Sequence, residues 1–155
     1  MLSIAHALTG AAIATNIHNP YISIPLILAS HYILDAVPHW DAGTGLGNGT
    51  KSVKLAILHE IPDLLLAGIL ILLFFPLPNQ TPSTIYQILK LPQVWGSFIA
   101  LIPDFLEVPR NFFHWEPKWL SPINRFHHSF HNSTPHMLNG LTPQFLLLII
   151  IWLTR

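Results

Sequence analysis

The sequence predicts an all-α integral membrane protein: a single membrane-embedded bundle of about five helices with proline kinks, covering residues 1–155. Three observations predict it. Charged residues make up only 9% of the chain and apolar residues 51%, whereas soluble domains carry about 25% charged residues. Apolar stretches of helical length recur between turn signals, and no stretch shows the period-2 alternation of a strand. The remaining ionisable residues lie within or at the ends of these stretches. There each costs roughly 2.5–3.5 kcal/mol to insert, so such groups belong in pairs, on a metal or against a wet cavity. Formal net charge is zero, so no basic field points to nucleic acid. The absence of cysteine excludes disulfides, thiolate metal sites and a Cys nucleophile.

The elements follow in order. A first helix runs from Ser3 to Asn16, and its Ala5, Ala7, Gly10, Ala11, Ala12 and Ala14 suit close helix contact in a bilayer. His18-Asn19-Pro20 makes a turn, and a second helix runs from Pro20 or Tyr21 to Val37, ended or kinked by Pro38. Residues 41–50 are a Gly-rich loop without the lysine of a phosphate-binding loop or a preceding strand. A third helix covers Ser52 to Phe75 and is wholly apolar from Leu64. Pro76, Pro78 and Pro82 mark a loop, with a short helix expected around Ser83–Lys90. A fourth main helix spans Gln93 to Val108 with a kink at Pro103. Residues 109–140 read as a long polar loop rich in His, Pro and Trp, a length usually kept for function. A last helix from Pro143 to Leu153 has only nine wholly apolar residues, Phe145 to Leu153, whereas a full span needs about 20.

If all five main helices cross, the N-terminus, the 38–54 loop and the 109–140 loop share one side. That side holds Lys51, Lys54, Arg110, Lys118 and Arg125, against Lys90 and Arg155 on the other. The positive-inside rule makes the five-charge side cytoplasmic. Met1-Leu-Ser-Ile-Ala-His6 has no basic n-region, so no cleaved signal is expected. The sequence therefore reads as a protein of a prokaryotic inner membrane with a cytoplasmic N-terminus.

Histidine is the compositional anomaly: ten residues, more than the seven acids or the seven Lys and Arg. Histidine is the commonest metal ligand. The assigned topology gathers the ligand-type residues on the cytoplasmic side. His31 and Asp35 are four apart and share a helix face, and His39 extends the stripe unless Pro38 diverts it. His59 and Asp63 repeat that spacing, Asp104 follows Pro103, and His127, His128 and His131 cluster late in the chain. His6 stands at the start of the first helix. These ten residues form the candidate metal-ligand pool. His and carboxylate ligands with an open position suit zinc, and also manganese or iron. The pool exceeds four, so one or two divalent ions are expected. Asp41 or Glu60 is the candidate base, and Arg125 is suited to an anionic substrate. The competing reading of each His/Asp pair is a buried hydrogen bond that fixes helix register.

His6-x-x-x-Gly10, Ile102-Pro103-Asp104 after an apolar helix, and Arg125-x-x-His128-Ser129 together resemble the YdjM-type membrane-bound proteins, a family of predicted metal-dependent hydrolases. The resemblance implies a small helical membrane protein with a His/Asp metal site and a phosphoester or lipid substrate. His6, Asp104, Arg125 and His128 carry over by position. The family's Pro-Asp-x-Asp stands here as Pro103-Asp104-Phe-Leu-Glu107, and the His expected before the Arg is Asn124. The expected function is hydrolysis at the membrane surface, with membrane lipid as partner. The alternative is a non-enzymatic metal-binding or metal-transport protein.

Overall fold

The computed structural model describes residues 1–77 and 84–155. Among them the regular elements are all helices: α1 (Ser3–Asn16), α2 (Pro20–Ala36), α3 (Val53–Phe74), α4 (Ile85–Leu89), α5 (Pro92–Phe113), α6 (Ser121–Phe130) and α7 (Met137–Thr154). The one bridge between extended residues there is an isolated pairing of His39 with Ser133. The expected loop prolines Pro78 and Pro82, and Ser83 at the start of the expected short helix, lie outside the described residues.

Local chemistry sets the helix starts. Asn19 accepts from the Tyr21 N–H at 3.0 Å ahead of Pro20, and Ser52 accepts from the Leu55 N–H at 3.3 Å. Pro92 and Pro122 occupy first-turn positions, where the missing N–H costs nothing. The prolines inside helices (Pro25, Pro62, Pro103, Pro109 and Pro143) do not stop them. This corrects the expected loop over residues 109–140. α5 continues through Pro109 to Phe113, α6 occupies ten residues of it, and α7 begins at Met137. Packing overrides the breaker signal at these places.

α1 is the central helix and packs on α2, α3, α5 and α7, most extensively on α5. Small residues allow this. A Cβ on Gly10 would lie 2.3 Å from the Gly96 carbonyl oxygen, and one on Gly96 would lie 2.4 Å from that of Gly10. The Ser97 hydroxyl donates to Ala7 O at 2.9 Å across the same contact. Ile4, Leu8, Ala11, Ala67, Leu101 and Ile151 form the main apolar core around α1.

Among the described residues two helices are long and apolar enough to cross a membrane: α3, with a mean hydropathy of 2.1 over its best 18 residues, and α7, with 1.6. Only 17% of each window is buried, so their apolar side chains largely face outward. α1, with 14 residues, is about 21 Å long, short of the roughly 30 Å hydrocarbon core. α3 and α7 meet at their C-terminal ends, where Arg155 donates to Leu73 O and Phe74 O at 2.8 and 3.0 Å. Near their N-terminal ends both pack against residues 39–40. The His59 ring lies 5.6 Å from that of Trp40, and a Cβ on Gly140 would lie 2.3 Å from Trp40 N.

Candidate metal centre

The centre is built on α2. His31 and Asp35 are one turn apart and both fully buried. The helix ends at Ala36 and Pro38 turns the chain, so helical geometry no longer positions His39. Backbone pairing does so instead. His39 N donates to Asn132 O at 3.1 Å, Thr134 N to His39 O at 2.7 Å, and Asn132 N to Asp35 O at 2.9 Å. These bonds join the C-terminus of α2 to the segment after α6 and set His39 opposite His131. On α6, Asn124 and His127 are buried at i, i+3. α5 brings Asp104, whose side chain is 32% exposed and opens the centre on that side.

Two ligand groups result, and Asp35 belongs to both. His31, Asp35, Asp104 and His127 form one; Asp35, His39 and His131 form the other, and within each group the ligand atoms lie within 4.8 Å of one another. Asp35 Oδ2 is 2.9 Å from His127 Nε2 and 3.3 Å from His31 Nε2, while Oδ1 is 3.8 Å from His39 Nε2. Asp104 Oδ1 is 3.6 and 3.8 Å from His31 and His127 Nε2. Asp41 stands beside the second group, with Oδ2 at 3.0 Å from His39 Nε2 and 3.1 Å from His131 Nε2.

The tautomers explain what this arrangement can hold. His31 Nδ1 lies 2.7 Å from Ala100 O, and His39 Nδ1 lies 2.8 Å from Val37 O. A carbonyl only accepts, so each Nδ1 carries the proton, and in the neutral ring Nε2 presents a lone pair. Each lone pair then faces another imidazole: His31 Nε2 to His127 Nε2 and His39 Nε2 to His131 Nε2, both at 3.2 Å. Carboxylates surround both pairs. Nitrogen and oxygen acceptors converging in this way suit a cation, and imidazoles anchored through the opposite nitrogen are the usual arrangement of metal-binding histidines. Glu107 Oε1 lies 3.5 Å from His127 Nδ1, and that buried nitrogen has no hydrogen-bond partner. Buried His/Asp groups that could hold a metal are thus present.

At the edge of the centre, burial opposes ionisation of Asp41, yet its hydrogen bonds with His131 and His39 prevail and hold its carboxyl well below the usual range. Burial pulls His131 down, and the Asp41 partnership more than reverses that.

The other predicted residues are placed differently. His6 stacks on His31 with ring centroids 4.0 Å apart, and its Nε2 is 3.1 Å from Asp35 Oδ1. The Met1 amino group also contacts Asp35 and His6. Asp63 lies outside the two ligand groups and caps α1, accepting from Ser3 N at 2.6 Å and Ile4 N at 3.2 Å. Glu60 accepts from the Ser3 hydroxyl at 2.6 Å. His59 packs on Trp40, and its buried Nδ1 has no hydrogen-bond partner. Arg125 and His128 are exposed on α6, away from the buried Asn124 and His127.

No family model matches the chain, and neither does any curated protein or solved structure.

Sequence reasoning passed over the arrangement behind His127. Asn124 is buried and donates to Glu116 Oε1 at 2.8 Å, and Arg110 pairs with Glu107 at 2.9 Å. The i, i+3 spacing of Asp104 with Glu107 and of Asn124 with His127 was the available signal.

Proposed function

We propose that the chain is a membrane-bound, metal-dependent hydrolase whose two ligand groups, which share Asp35, would hold two divalent ions. One observation carries the reading: two pairs of imidazole Nε2 atoms, each pair 3.2 Å apart, face each other on either side of one buried carboxylate. His31, Asp104 and His127 would hold one ion and His39 and His131 the other, with Asp35 common to both groups. Zinc suits the His-rich donor set best, with manganese or iron as alternatives. The ions would acidify water and polarise the scissile phosphoryl or acyl oxygen.

The residues divide the remaining work. Ala100 O and Val37 O orient His31 and His39 through their Nδ1 protons. Glu107 is the carboxylate beside the unpartnered Nδ1 of His127. Asp104, the more open carboxylate, borders the side from which substrate enters. Asp41 is the favoured base: it stands beside the second ligand pair, whereas Glu60 is engaged with Ser3. The YdjM-type resemblance points to the same chemistry. The five-helix bundle, the cytoplasmic face of the site and the inner-membrane location belong to this reading, supported by the five-to-two Lys/Arg bias and by two helices apolar enough to span.

The test is a screen of phosphoesters and esters with metal-loaded protein. Turnover is expected, lost in Asp41→Asn with metal retained. Absence of turnover, together with metal flux across a liposome bilayer, would favour transport.

A further inference from the structure

The segment from the end of α5 through α6 has an apolar surface that the hydrolase chemistry does not use. Phe113, Trp115 and Trp119 are 73%, 64% and 68% exposed. α6 continues the surface with Ile123, Phe126 and Phe130, also exposed, at i, i+3 and i+7. That spacing makes one apolar stripe on a helix whose inner face carries Asn124 and His127.

Two observations say what covers it. The first is its level in the molecule. His127 on α6 belongs to the same centre as His39. Residues 39–40 pack against His59 of α3 and Gly140 of α7, near the N-terminal ends of the two helices apolar enough to span. The segment therefore sits where those helices leave the hydrocarbon. Trp and amphipathic helices concentrate in that layer. The charges match it: the exposed Lys118 and Arg125 against Glu116 suit anionic headgroups, while Arg110 is paired with Glu107.

The second observation is continuity with the centre. Phe126 and Phe130 pack on Tyr32 with ring centroids 5.1 and 5.7 Å away. Tyr32 in turn touches His31 and His127, at 5.5 and 5.7 Å. One aromatic surface thus leads from the exposed stripe to two ligands of the first group.

We infer that segment 113–130 lies in the headgroup layer and presents a membrane phospholipid to the His/Asp centre, its acyl chains against the aromatic stripe and its phosphoester toward the ligands. The reaction part rests on the hydrolase reading; the docking part does not.

The experiment uses metal-loaded protein in phosphatidylglycerol nanodiscs and has two readouts. Phosphatidylglycerol brominated near the headgroup should quench a tryptophan component that is missing from Trp115→Phe/Trp119→Phe. In parallel, Phe126→Ser/Phe130→Ser should lower hydrolysis of bilayer phosphatidylglycerol by about tenfold or more, while keeping its metal and its rate on a short soluble phosphodiester. If the Trp115/Trp119 component is quenched by acrylamide and not by the lipid, the segment faces water and the inference falls. An equal fall on lipid and soluble substrates would assign the two phenylalanines a structural role and overturn the presentation of lipid. Lipid quenching without hydrolysis of any phosphoester would sink the hydrolase reading while leaving the docking surface standing.

Discussion

Replacing Asp35 with Ala removes the carboxylate common to both ligand groups. Asp35 has no exposed surface and lies within 3.8 Å of four imidazole nitrogens, those of His6, His31, His39 and His127. Two losses should follow. Breaking a buried, hydrogen-bonded charge network costs about 3–5 kcal/mol even without metal, so the metal-free variant melts lower. That drop alone does not separate a metal site from a network that only fixes helix register. The metal increment does. An ion at 1,000 times its dissociation constant stabilises the folded state by about 4.1 kcal/mol, and about 2–4 °C accompanies each kcal/mol in a protein of this size. Each of the two ions should therefore add about 8–16 °C to the melting temperature of the detergent-purified wild type. The increment should vanish in Asp35→Ala and persist in His18→Ala, whose side chain is exposed in the α1–α2 turn. Thermal melts with chelator and with added zinc measure it. An Asp35→Ala increment equal to that of the wild type would refute a site organised on this carboxylate.

Three further predictions follow from the same geometry. His31→Ala and His39→Ala each remove a ligand from a different group, so each should lose one ion of two, as counted by elemental analysis. Asp63→Ala unpairs the Ser3 and Ile4 N–H groups at the start of α1 and should destabilise by about 1–2 kcal/mol with metal content unchanged; loss of metal would place Asp63 in the centre. Acidity should act on the bound and free forms in opposite directions. The raised His131 stabilises the metal-free fold fully below about pH 6.5 and less as pH rises through its folded value. The depressed Asp41 contributes above about pH 3.9 and is lost only in stronger acid. Metal needs deprotonated ligands, so the metal-dependent increment in melting temperature should grow from pH 5.5 to pH 8; a flat or falling increment would contradict the ligand assignment.

Much of the centre was legible as helical spacing. His31 and Asp35, and His127 and His131, are one turn apart, and each pair stays together in the fold. His59 and Asp63 show the same spacing but are used otherwise, because α1 starts against α3 and its unpaired N–H groups need an acceptor there. Only the tertiary packing of α1 reveals that. The resemblance carried over His128, whereas the i, i+4 spacing with His131 favoured His127; once α6 is a helix with Asn124 inward, its phase buries His127 and leaves His128 exposed. The prolines hid α6 and the ends of α5 and α7, since a breaker signal carries no information about the packing that overrides it. The close packing of α1 was legible in its Gly and Ala residues, but its partner Gly96 on α5 was not.

The central claim is that the two ligand groups sharing Asp35 would each hold an ion, and the most direct measurement is X-ray absorption on zinc-loaded protein in detergent, combined with elemental analysis. The account predicts two zinc ions per chain, first-neighbour nitrogen and oxygen at about 2.0–2.2 Å, and a metal–metal vector at about 3.5–4 Å. A protein that retains no zinc after desalting, or one that binds zinc with no metal neighbour, would contradict it.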